Sequence, residues 1–197
     1  MSSIGAVILA AGASTRLGRP KQLQHFGGVT LIRRAAQAAL NCGMRVVVVT
    51  GASADSVGSE LETLPVLVVH NADWQSGMGG SIKTGVTVLA SSCEAIVLMT
   101  CDQPLVTPES IAKLIAARNQ NPIVAASYEG VVGVPALFDR SYFPRLLALQ
   151  GDQGARLMIR ENMDQVASIA MPEAALDIDT ANDLARIGCS GGLRPSP

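Results

Sequence analysis

Six short, unbroken apolar runs alternate along this chain with stretches of helical spacing, and that alternation constrains the fold more than any other feature. The runs cover residues 6–9, 45–50, 66–69, 95–100, 123–126 and 166–170. They lack a two-residue polar alternation, as expected of strands buried on both faces. Thr30 can N-cap a helix reaching Cys42, where Gly43 supplies the stop. Ser53 opens a second helix, to about Thr63, and a third begins near Gly80 with Ile82, Val86 and Leu89 on one face. Thr107, Pro108 and Glu109 give a cap, a first-turn proline and a dipole-matched acid for a fourth, running to Arg118. Asp152 is expected to begin a helix through Glu161, and Thr180 with Asp183 to cap the last. The repeated β-α-β pattern predicts an α/β fold, a doubly wound, mostly parallel sheet with helices on both faces. Residues 1–187 read as a single domain and 188–197 as a flexible tail.

Composition narrows the possible partners. Apolar residues make up 48% of the 197, aromatics 3% and charged residues 16%, with a net charge of −1. Such a chain is too apolar for disorder, has no run long enough for a membrane span, and offers no broad basic surface for nucleic acid. The core must be built from Ala, Val, Ile and Leu. Cys42, Cys93, Cys101 and Cys189 are widely spaced, and with His25 and His70 they make no zinc pattern or disulfide framework. No Lys or Arg precedes the apolar residues 4–11, so a cytoplasmic protein with reduced thiols is expected.

Ligands of open α/β sheets bind beyond the carboxyl ends of the strands, which directs attention to the segments that follow them. After the first strand come Leu9, Ala10, Ala11, Gly12, Ala13 and Ser14, then Arg16 and Lys21. Small residues let backbone amides approach phosphate oxygens, and the two cations add local positive charge. The spacing is neither a Walker A loop nor G-x-G-x-x-G. On residue type alone, a glycine-rich turn with solvated cations is an equal alternative. Asp102 follows the 95–100 run in a turn fixed by Pro104, where a carboxylate can hold Mg²⁺ or simply cap the turn. Asp179 is a natural second carboxylate, although an acid there also suits a helix N-terminus. Asp177 is a weaker candidate of the same kind. Gly79 and Gly80, in the Gly77–Gly80 cluster, could approach a nucleotide base whose edge Ser81 could bond, whereas Trp74, Met78 and His70 read as structural and His25 has no obvious proton to move.

The segment 9–21, L-A-A-G-x-S-x-R-x-G-x-x-K, resembles the signature loop of nucleotidyltransferases that act on a phosphorylated acceptor. Within them the chain is most similar to the molybdenum cofactor cytidylyltransferase group. Further segments carry the resemblance: N-x-x-W-x-x-G-M-x-x-S from Asn71, C-D-Q-P from Cys101, G-V-P-A-L-F from Gly133, G-D-Q-G-A-R from Gly151 and D-I-D-T from Asp177. The similarity spans roughly residues 5–187. It implies transfer of CMP from CTP to molybdopterin with loss of pyrophosphate. By that resemblance Arg16, Lys21 and Asp102 are catalytic, and residues 9–14, Arg16, Lys21 and 79–81 bind the nucleotide. Asp102 and Asp179 would hold Mg²⁺, with Gly133, Pro135, Asp152 and Arg156 near the acceptor. A dianionic phosphate needs no general base, in keeping with the lack of a Ser-His or Cys-His pair. C-D-Q-P resembles the guanylyl branch, so GTP stands beside CTP, and another phosphorylated small molecule stands beside molybdopterin. The remaining alternative is a non-catalytic cofactor carrier docking on a molybdenum-enzyme client.

Overall fold

The computed structural model describes residues 3–180 and 183. The chain opens with β1 (Ile4–Ala10), followed by a two-stranded ribbon, β2 (His25–Phe26) and β3 (Val29–Thr30), then α1 (Leu31–Asn41), β4 (Arg45–Thr50), α2 (Ala54–Leu61), β5 (Leu67–His70), α3 (Met78–Leu89) and β6 (Ala95–Thr100). The second half contains α4 (Pro108–Ala116), β7 (Ile123–Tyr128), β8 (Val131–Asp139), α5 (Phe143–Leu147), α6 (Ala155–Glu161) and β9 (Val166–Ala170). Seven strands form one sheet in the order β5-β4-β1-β6-β8-β7-β9. The pairs within β5-β4-β1-β6 are parallel, as is β7 with β9, and β8 runs antiparallel to both its neighbours.

The apolar runs are continuous because both sheet faces are covered. Ala6, Ile8, Val46, Val48 and Val97 face the layer of α1, α2 and α4, while Val7, Val47, Val49, Ile96 and Leu98 face α3, α5 and α6. Small side chains allow close approach of helix and sheet. At Gly85 of α3 an added Cβ would lie 2.4 Å from Val7 Cγ1 and 3.0 Å from Val49 Cγ2. The expected caps also form. The Thr30 hydroxyl accepts from the Arg33 N–H, Thr107 and Ser110 make a reciprocal box, and the Asp183 carboxylate accepts from the Thr180 N–H at 2.8 Å. The continuation of the last helix, and the 188–197 tail, lie outside the described residues.

Four features depart from the sequence reading, the first being the β2–β3 ribbon, which no apolar run announces. Residues 131–139, of which 133–138 read in the sequence only as a motif, form β8, which makes the sheet mixed. Glycine and proline weaken the strand signal there, yet the register shift between Ala125 and Ala126 skips Val134 and Pro135, so the imide nitrogen needs no ladder partner. Helix α6 starts at Ala155, after an N-cap at Gly154, so Asp152 lies before the helix. Helix α5, with Pro144 in its first turn, is additional. Among the described residues no helix is long and apolar enough to cross a membrane.

Replacing Gly85 by Ala should lower stability in spite of alanine's better helix propensity, because the methyl overpacks Val7. A loss of about 1–3 kcal/mol is expected from urea unfolding midpoints at unchanged slope.

Candidate active site

The parallel pairing of β1 with β6, in register from Ile4↔Ala95 to Leu9↔Thr100, makes the segments that follow them emerge side by side. The loop after β1 is open. Among the described residues an added Cβ at Gly12 would meet nothing within 4 Å, and Ser14 adopts φ 54°. Among the described residues, none of the backbone N–H groups of residues 12–16 donates to a protein acceptor. Consecutive free amides of this kind form a concavity suited to an anion.

A third segment completes the cluster. Ile178 is fully buried against Leu31, and its N–H donates to the Asp102 carbonyl at 2.9 Å. That anchor brings Asp177 and Asp179, which flank Ile178 in the chain, to the turn after β6. The Asp183 carboxylate accepts from the Asp179 N–H at 3.2 Å and fixes the same segment from the other end. Lys21 Nζ then pairs with Asp102 and, at 3.1 Å, with Asp179 Oδ1, while Arg16 donates to Asp179 Oδ2 at 3.0 Å. The ion cluster therefore joins residues more than 150 positions apart. Burial works against the Lys21 charge, but Asp102 and then Asp179 outweigh it and raise its pKa. Desolvation likewise opposes Asp179 ionisation, yet Lys21 and Arg16 hold that carboxyl below its ordinary range. Asp177 lies on the other side of this balance: partial burial, then Asp102 and Asp179, push it up to about 6. Cys101 is buried, and desolvation followed by the Asp102 charge pushes its thiol up to about 12, leaving it unreactive.

Asp102 Oδ1 is buried and, among the described residues, has no hydrogen-bond partner. An orphaned carboxylate oxygen, with Asp179 across the same ammonium, is the oxygen donor set that a hard divalent cation accepts when ligand phosphates complete its shell.

Beside the cluster lies a cavity of about 400 Å³ lined in part by Asp102, Asp152, Arg156, Arg160, Asp177 and Tyr128. Asp152 and Arg156 thus share a wall, without forming an ion pair. Gly133 makes room for the same wall: a Cβ there would lie 3.1 Å from the Tyr128 hydroxyl and 3.6 Å from Arg156 Nε. Pro135 is buried within β8, away from the cavity lining. The glycines around α3 are placed differently from one another. Gly79 packs on the protein's own chain, its N–H donating to Gly151 O at 2.9 Å and its Cβ position 2.8 Å from Gln150 N, whereas Gly80 has nothing nearer than 3.5 Å. Ser81 is buried and accepts from Asn71 Nδ2 at 3.0 Å. Trp74 packs on Gly51, in keeping with a structural role. Arg160, Tyr128 and Gln103 were not apparent as cavity residues in the sequence. Only Arg160 carries a sequence signal, because it stands four residues after Arg156 on one helix.

Residues 6–166 match the family model of the MobA-like NTP transferase domain. The chain belongs to that family. This MobA-like NTP transferase is 32% identical to nicotine blue oxidoreductase of Paenarthrobacter nicotinovorans, over 93% of its own length and 96% of the relative. It is 26% identical to molybdenum cofactor cytidylyltransferase of Escherichia coli K12, over 93% and 94%. Its fold matches that of Rv0371c from Mycobacterium tuberculosis H37Rv, solved as a manganese complex, with a TM-score of 0.80 and 28% identity over 94% and 98% of the two chains. Family and fold together make the protein a nucleotidyltransferase.

The raised Asp177 pKa has a definite sign in the free MobA-like NTP transferase. Its folded value near 6, against 3.8 for an ordinary aspartate side chain, costs stability that grows as pH rises from 4 to 6 and is constant above. Asp177→Asn should therefore raise the melting temperature of the metal-free protein at pH 7.5, with the gain closing as pH falls toward 4. Melting curves across that range check it.

Proposed function

We propose that this protein transfers CMP from CTP to the phosphate of molybdopterin and releases pyrophosphate. The observation that carries the reading is the ion cluster itself: Arg16 and Lys21 interleaved with Asp102 and Asp179, below a loop of free amides. In the resting protein these groups neutralise one another. On substrate binding, the amides of residues 12–16, Arg16 and Lys21 turn to the nucleotide's phosphates and release the two carboxylates. Asp102 and Asp179 would then hold Mg²⁺, which would supply charge neutralisation at the reacting phosphorus. An acceptor phosphate is largely dianionic at pH 7, so its oxygen attacks the α-phosphorus without a protein base. Lys21 and Arg16 then stabilise the leaving pyrophosphate, and catalysis consists of positioning and electrostatics. Asp152, Arg156 and Gly133 bound the acceptor side, with Pro135 shaping β8 behind it. On this reading residues 1–187 act as one nucleotidyltransferase domain. The divalent ion draws support from the manganese complex of Rv0371c, and the cytidylyl reaction from the Escherichia coli relative.

A second reading, an oxidoreductase, is favoured by the 32% identity to nicotine blue oxidoreductase. The cluster argues for transfer, because two acids converging on two phosphate-binding cations serve a metal–polyphosphate complex. Pyrophosphate release from CTP, GTP, UTP and ATP, with molybdopterin and with sugar phosphates as acceptors, separates the readings. Release with CTP and molybdopterin is expected. A preference for GTP would make the enzyme a guanylyltransferase, and release only with another acceptor would move the acceptor assignment. Lack of release in every combination, with retained cofactor binding, would favour the carrier or the oxidoreductase. Lys21→Ala and Asp102→Ala should each lower kcat/KM by at least 30- to 150-fold, corresponding to about 2–3 kcal/mol of transition-state stabilisation. Near-normal turnover in either variant at saturating Mg²⁺ would refute its role.

A further inference from the structure

We propose that Gln22 is the positioning residue that sets the conformation of the nucleotide loop. Its side chain is buried, with 1% of the residue exposed, directly beneath the segment that follows β1. Nε2 donates to the carbonyls of Ala10 at 2.9 Å and Gly12 at 2.8 Å. Two carbonyls demand two N–H groups, so the amide can take only one orientation, and its oxygen faces the other way. There Oε1 accepts from the Ser14 hydroxyl at 3.4 Å, and Ser14 Oγ in turn accepts from the Lys21 N–H at 3.0 Å. The ring closes through the backbone, since Gln22 follows Lys21 in the same short 3-10 turn.

The consequence for the loop follows from peptide geometry. In a planar trans peptide the carbonyl of one residue and the N–H of the next point in opposite directions. Drawing the Gly12 carbonyl inward onto Gln22 therefore turns the Ala13 N–H outward. That amide is one of the five consecutive donors, residues 12–16, left without a protein acceptor. Without a buried donor beneath it, the Gly12 carbonyl would be desolvated and unpaired, a cost that turning the peptide over would relieve. The same turn would withdraw the Ala13 N–H from the anion site. The Ser14 hydroxyl hydrogen is also committed to Gln22, which leaves backbone amides rather than this side chain to meet the ligand. Gln22 thus links the loop to the ion cluster, because the ring that orients the amides also fixes the backbone from which Lys21 reaches Asp102 and Asp179.

The inference rests on the loop being the nucleotide's binding site, and the experiment separates the two. In the nucleotide-free full-length protein, tryptic cleavage after Arg16 reports the loop directly. Gln22→Met, nearly isosteric and without a donor, should be cut at least about tenfold faster than wild type at a temperature where its melting curve shows the protein fully folded. Equal cutting would overturn the role of Gln22 whether or not any nucleotide binds. Calorimetric titration with CTP and with GTP in Mg²⁺ then tests the ligand. Gln22→Met should bind at least tenfold more weakly than wild type at every pH. Gln22→Glu should do the same at pH 8, where its carboxylate faces two carbonyls. Relative to wild type at the same pH it should recover as pH falls and the acid gains one donor. A merely structural defect would follow the variant's own melting curve at each pH rather than appear in the fully folded protein, and affinities within twofold of wild type in both variants would overturn the proposal. Faster cutting together with no binding of CTP or GTP by the wild type would instead contradict the nucleotide site and leave the loop-setting role standing.

Discussion

The site is organised around one ammonium group. Lys21 Nζ lies between Asp102, carried by the turn after a central strand, and Asp179, brought back from beyond the last strand of the sheet. Its position depends on the β1–β6 pairing, which sets the loop beside the turn, and on buried Ile178, which pins the returning segment to the Asp102 backbone. Strong pairing in a partly buried place keeps Lys21 charged against its own desolvation. In the proposed reaction these ions exchange partners, the cations going to polyphosphate and the acids to metal. The resting ion pairs then set the energy that substrate and metal must replace.

The small-residue composition serves both the core and the site. Alanine and valine cover the two sheet faces, and Gly85 lets α3 lie almost against Val7 and Val49. With a net charge of −1, the chain offers polyphosphate no broad basic field. It offers a loop of unpartnered amides and two local cations instead. Of the glycines at the start of α3, Gly79 serves the fold by admitting the Gln150–Gly151 backbone, and Gly80 remains open.

Much of this was legible in the sequence because local rules and the global fold agree. The parallel strands are continuous apolar runs, and Thr30, Thr107 and Asp183 cap where their chemistry says they should. Arg16, Lys21, Asp102 and Asp179 stand where strand ends and small-residue loops make their chemistry visible in the sequence, and the structure draws them into one cluster. The remainder was hidden for physical reasons. β8 escapes because Gly133 and Pro135 weaken its strand signal, and the bulge that accommodates them is a property of the pairing with β7. The start of α6 is displaced because Gly154, which offers no side-chain cap, precedes it rather than Asp152. Gln22 gave no signal at all: a glutamine beside a charged loop reads as solvated, and only the tertiary fold buries its amide beneath two carbonyls.

The exchange of ionic partners is tested most directly by measuring how Lys21→Ala changes the affinities for Mn²⁺ and for CTP separately. Mn²⁺ binding to the nucleotide-free protein, followed by electron paramagnetic resonance, should tighten by roughly tenfold or more, because Asp102 loses its competing ammonium. CTP binding to the same variant, followed by calorimetry, should weaken by a comparable factor. Opposite changes in the two affinities are what the account predicts. Mn²⁺ affinity that is unchanged or weakened, or CTP affinity that survives the loss of Lys21, would contradict it.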